Sequence, residues 1–176
     1  MYWLRVIIIL VLAALLQATV IPALAVRRIC PDLLLLAAAC IAAREHTLRG
    51  WRWRAFWVGW IAGLLADIYG AGTGLPFGST ALVFGLLAMV VSKMGEELFI
   101  DSCIAQVLIL APVCIVGYFV LAIALATFAA YPLSGALTSA LWTGLYSGLA
   151  APLVFAVLRP FVSRARADVR RSVRRA

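Results

Sequence analysis

The chain has 176 residues, 66% of them hydrophobic and only 12% charged, a balance that no soluble core of this length requires and that fits an integral membrane protein. The formal net charge of +8 is concentrated, because seven of the fifteen Lys and Arg residues follow Leu158. Four cysteines (Cys30, Cys40, Cys103 and Cys114) show no C-x-x-C spacing, and His46 is the single histidine, so bis-His haem and a His-rich metal site are excluded. No cofactor or metal is expected.

Taken in order, the apolar runs predict six spans, an all-α integral membrane domain over residues 1–160, and a basic tail over residues 161–176. The first span covers residues 6–26. It imitates a secretory signal, with Arg5 ahead of it and Ala23-Leu24-Ala25 near its end, but its length favours a retained anchor. Arg27 and Arg28 end it. Pro31-Asp32 then suits the first turn of a second helix over residues 29–43, which is short for a full span and is expected to be tilted or recessed.

Residues 44–54 read as a polar, basic loop, and Trp51, Trp53, Phe56, Trp57 and Trp60 beside its arginines mark an interfacial anchor. A nucleic-acid role for this basic and aromatic mixture is not expected, because it abuts a span. The third span covers residues 55–70, and a glycine-rich break follows to Gly78. Ser79-Thr80 is read as the cap of a fourth span over residues 79–92. Residues 93–101 are a polar connection in which Glu96, Glu97 and Asp101 form a solvated face rather than a catalytic pair. The fifth span, residues 103–129, holds Pro112 and Gly117, where a kink is expected. A turn at Tyr131-Pro132-Leu133-Ser134-Gly135 leads to the sixth, residues 136–158.

Two faces are stripped of bulky side chains. Gly59, Gly63 and Asp67 recur every four residues with Gly70 close to the same line, so the third span presents a groove that ends on a carboxylate. On the sixth, Ser139, Thr143 and Ser147 recur at the same interval beside Gly144 and Gly148. Both faces are expected to receive a neighbouring helix. A charge in lipid costs about 2.5–3.5 kcal/mol or more, so Asp67 should point into the bundle and have a partner.

With both termini cytoplasmic, thirteen of the fifteen basic residues fall on the inner side, as the positive-inside rule asks. The exceptions, Arg27 and Arg28, share the outer side with Asp32 and Asp67, which predicts a polar cluster of these four residues. In the tail, Val162, Ala165, Val169 and Val173 share one helical face. Arg164, Arg166, Arg170, Arg171, Arg174 and Arg175 surround it, the pattern of an amphipathic helix on anionic lipid.

No catalytic constellation emerges: the spans hold no histidine and no carboxylates paired at helical spacing, and the glycine break lacks the lysine of a P-loop. Two classes remain, a partner-binding membrane scaffold and a solute-binding component of a transporter. Acids beside glycine-interrupted spans are what transporter sites are built from. For a solute, however, the polar candidates are few: Gln106, Thr127, Thr138 and Ser139.

Cys30-Pro31-Asp32-Leu33-Leu34-Leu35-Leu36, then Gly63-Leu64-Leu65-Ala66-Asp67 leading into Gly74-Leu75-Pro76-Phe77-Gly78-Ser79-Thr80-Ala81-Leu82, resembles the rod shape-determining MreD family. The resemblance implies a six-helix bundle similar to the substrate-binding S components of energy-coupling-factor transporters. It implies a non-enzymatic, multi-pass subunit of the bacterial inner membrane that helps regulate peptidoglycan synthesis and cell shape. The implied partners are MreC directly, and through it MreB, RodZ, RodA and a transpeptidase; a homodimer is compatible with the pattern. The Arg-rich tail and the Glu96-Glu97 pair have no counterpart in that family pattern.

Overall fold

The computed structural model describes residues 2–19, 30–44, 51–69, 76–97, 103–128 and 132–173, all helical apart from short connecting residues. Six helices follow in order: α1 Tyr2–Thr19, α2 Leu33–Arg44, α3 Trp51–Tyr69, α4 Ser79–Glu97, α5 Cys103–Phe128 and α6 Leu133–Val173. Two stretches, Val107–Phe128 and Leu133–Leu158, are long and apolar enough to cross a membrane, and Trp3–Thr19, Leu33–Ala43 and Ser79–Met94 are shorter apolar helices. Large apolar side chains also cover the outside, among them Leu4 and Leu12 on α1, Leu86 on α4, Leu108 on α5 and Leu153 on α6. A water-soluble protein hides such continuous apolar surface, so the exterior fits a helical membrane protein.

The centre of the bundle is its shortest helix. α2 has 12 residues, about 18 Å of rise against a hydrocarbon core of about 30 Å. Every residue from Leu34 to Ala43 is buried. A helix apolar on all sides belongs inside a bundle, and the alanines at 37, 38, 39, 42 and 43 keep α2 thin enough to be enclosed. It packs against α1, α3, α4 and α6.

Four of the remaining helices form two tight pairs, α3 with α4 and α5 with α6. Glycines set both approaches. A Cβ at Gly59 would lie 2.3 Å from the Phe84 carbonyl oxygen, and one at Gly63 would lie 2.4 Å from Ala81 Cα. In the second pair, a Cβ at Gly144 would come within 2.8 Å of Ile115 Cα, and one at Gly148 within 2.5 Å of Ala111 Cβ. These are backbone-to-backbone contacts of the kind small residues permit between apolar helices.

Several boundaries differ from the sequence reading. α3 begins at Trp51, inside the expected polar loop, so Trp51 to Arg54 belong to the helix. Four rings of α3 pack edge to face in series: Trp53 with Phe56, Phe56 with Trp57 and Trp57 with Trp60, their centroids 6.2, 6.0 and 5.3 Å apart. α4 continues to Glu97 instead of yielding to a connection at residue 93, and α6 begins at Leu133 inside the expected turn. α5 stays helical through Pro112. α6 is a single helix of 41 residues, so the tail continues the last span without a break as far as Val173.

Candidate functional site: a carboxylate at the centre of the bundle

Asp32 is the residue on which the bundle converges. It is 7% exposed, and it caps α2: its Oδ1 accepts the Leu35 amide at 3.1 Å, and its backbone carbonyl accepts the Leu36 amide at 3.2 Å. This is N-capping as performed at a helix start in water, here carried out in the interior. The other carboxylate oxygen accepts the hydroxyl of Tyr118 from α5. The amide of Asp32 itself donates to Ser147 Oγ of α6 at 2.9 Å, and Ser147 is fully buried. From α1, Gln17 accepts the Leu34 amide on Oε1 at 2.9 Å and hydrogen-bonds the Asp32 side chain.

Four helices therefore meet at one residue, and their shapes explain why its carboxylate lies deep. At 1.5 Å per residue, Ser147 is about 21 Å along α6 from Leu133 and about 16 Å from Leu158. Tyr118 is about equally far from Val107 and Phe128 on α5. Both lie near the middle of the two stretches long enough to span a membrane. A carboxylate at that depth is costly unless its oxygens are bonded; each oxygen of Asp32 accepts a hydrogen bond. Chemically the arrangement is a closed knot: it fixes where α2 begins and which faces of α1, α5 and α6 turn toward it.

Asp67 does different work. Its carboxylate, half-buried at the end of α3, accepts the Gly78 amide at 2.7 Å. Gly78 has φ +93°, a left-handed conformation that glycine adopts without steric cost, and its carbonyl accepts the Leu82 amide at 3.0 Å. Gly78 thus opens α4, and Asp67 clamps that turn to α3. The expected Ser79-Thr80 cap is replaced by this arrangement. Ser79 is the first residue of α4 and its buried hydroxyl has no hydrogen-bond partner among the described residues.

The predicted outer cluster of Arg27, Arg28, Asp32 and Asp67 is reached only in part: both arginines and Gly70 lie outside the described residues, while Asp32 and Asp67 have the separate partners given above. Of the small-residue faces, Gly59 and Gly63 are filled by α4 and Gly144 and Gly148 by α5, which leaves no room for a helix of another protein on those lines. On α6, Ser139 is exposed and donates to the Ala136 carbonyl at 2.9 Å, Thr143 is half-buried, and Ser147 alone of the three joins the knot. Thr127 and Thr138, candidates for holding a solute, donate to the carbonyls of Ala124 and Ser134 at 2.8 Å. The side chains of Gln106 and of the tail arginines lie outside the described residues. Tyr118 and Gln17 were missed by the sequence reading. An isolated Gln within an apolar helix and a Tyr far from either end of its span are the signals that could have found them.

Among the described residues no group of three or more His, Cys, Asp or Glu could hold a metal ion. Comparison with known proteins matches one family model, rod shape-determining protein MreD, over residues 1–164. No curated protein and no solved structure matches.

Proposed function

The chain belongs to the MreD family of rod shape-determining proteins, and on that premise we propose that it is a non-enzymatic, multi-pass scaffold of the bacterial inner membrane. In this reading it binds MreC and, through it, joins MreB, RodZ, RodA and a transpeptidase in the machinery that elongates the cell wall. Both termini face the cytoplasm, which puts thirteen of fifteen basic residues on the inner side. On the same reading, the six-helix layout follows that of energy-coupling-factor S components.

One observation favours the scaffold over the solute-binding alternative. The carboxylate at mid-bundle spends its oxygens on Leu35, Tyr118 and Gln17. A solute site needs convergent polar groups left free for the ligand, and here they are consumed in fixing one helix arrangement. Since the glycine faces of α3 and α6 are filled by the chain's own helices, the MreC helix would lie against an outward apolar face.

The test is affinity purification of the intact protein in mild detergent, with mass spectrometry of proteins and small molecules. Recovery of MreC and the wall synthases supports the scaffold. Recovery of an ATPase module with a bound small molecule would replace it with the transport component.

A further inference from the structure

The contacts inside the bundle are of two kinds. Within α3–α4 and within α5–α6, glycines bring backbone against backbone, at Gly59 and Gly63 in one pair and Gly144 and Gly148 in the other. Between the α5–α6 hairpin and the rest, the contact is looser. There the glycine is Gly117 of α5, and what its Cβ would meet is the flexible end of a side chain, Leu87 Cδ1 at 2.3 Å, rather than backbone. Among the polar bonds that cross the same seam, Tyr118 to the Asp32 carboxylate and the Asp32 amide to Ser147 Oγ both end on one residue.

In apolar surroundings no hydrophobic force presses helices together, so packing and hydrogen bonds decide which contacts hold. The glycine-notched pairs have the closest packing. The seam depends more on its polar bonds, two of which end on Asp32. We propose that the α5–α6 hairpin is a movable unit latched onto α1–α4 by Asp32: losing Tyr118 and Ser147 from that residue lets the hairpin shift while α3 and α4 stay packed. A hairpin that shifts against a fixed body would give the bundle a second packing, which is what a conformational switch requires.

The protein carries its own reporters. Cys114 lies one turn before Tyr118 on α5 and is 1% exposed, and Cys40 is fully buried on α2; neither is in a disulfide. The experiment uses the full chain in lipid nanodiscs with Cys30 and Cys103 replaced by serine, and follows maleimide labelling of Cys40 and Cys114 by mass spectrometry. A second preparation carries Ala62→Cys, a position buried on α3, as a probe of the α3–α4 body. Tyr118→Phe, alone and with Ser147→Ala, is expected to raise Cys114 labelling about tenfold, the change that loss of one to two buried bonds produces, with Ala62→Cys unchanged. Cys114 labelling that stays at the parent rate in the double variant would overturn the latch. An equal rise at Ala62→Cys would overturn the separable hairpin, because the bundle would then be loosening as one body.

Discussion

Tyr118 gives its hydroxyl to the carboxylate of Asp32, 86 positions earlier in the chain, and the bond joins the start of the central helix to the middle of α5. The same carboxylate caps its own helix through the Leu35 amide. One side chain thus performs a local task, accepting an amide at a helix start, and a tertiary one, setting how two parts of the bundle meet.

The two tasks are separable by mutation. Tyr118→Phe removes one bond and is expected to cost about 1 kcal/mol. Asp32→Ala removes the cap and also leaves Tyr118 and Gln17 without their acceptor, and should cost about 3 kcal/mol. Asp32→Asn should fall between them. Unfolding of each variant in mixed micelles by SDS gives the ranking, and the Asp32→Ala/Tyr118→Phe double variant should cost less than the sum of the singles. Strict additivity would mean that the bond contributes nothing.

Glycine positions should differ according to what each Cβ would meet. Gly63→Ala drives a methyl to 2.4 Å from Ala81 Cα, and Gly59→Ala drives one to 2.3 Å from the Phe84 carbonyl oxygen; backbone cannot yield cheaply, and a loss of about 1–3 kcal/mol is expected from each. Gly117→Ala meets only the tip of Leu87, which can rotate, and should cost less than either. Thermal unfolding of the three variants in one detergent is sufficient to compare them.

At Gly78 the expectation rests on backbone alone. No atom of the described residues lies within 4 Å of an added Cβ there, yet φ is +93°, so Gly78→Ala should cost about 1 kcal/mol through conformation rather than crowding. Asp67→Asn keeps an acceptor for the Gly78 amide and should be milder than Asp67→Ala. Pairing each Asp67 variant with Arg27→Ala or Arg28→Ala tests the proposed outer-side cluster: coupling supports it, and additive losses remove it.

The tail makes a separate prediction. The family match ends at residue 164, and α6 runs on to Val173. Deleting residues 165–176 should leave the bundle's unfolding unchanged while weakening association with vesicles rich in anionic lipid, an effect that fades as salt rises. Equal association of the full and shortened chains at low salt would remove the lipid role.

Much of the architecture is legible in the chain because it is written locally. Apolar runs mark the helices, and the four-residue recurrence of Gly59 and Gly63, and of Gly144 and Gly148, marks the faces of closest approach, since residues so spaced share a helix face whatever lies opposite. What the pattern cannot carry is the identity of the helix opposite. The grooves are filled by α4 and α5 of the same chain, where the spacing alone would equally admit a partner. Helix ends shifted for a related reason: arginines and tryptophans at residues 51–54, and Lys93 to Glu97, read as polar connections by composition, although such side chains continue a helix readily.

By itself the sequence determined the membrane class, the six helices, the shortness of the second and the small-residue faces, because each depends on neighbours within a turn or two. The tertiary structure alone decided that Asp32 rather than Asp67 is the hub. Both are single acids beside apolar runs, and nothing local ranks them. The difference is that Tyr118 and Ser147, 86 and 115 positions away, arrive at Asp32 only when the helices pack, whereas Asp67 bonds to Gly78 only 11 positions on. Pairing over such separations leaves no period in the sequence, and it is settled by which packing gives the buried carboxylate and amide of Asp32 their partners.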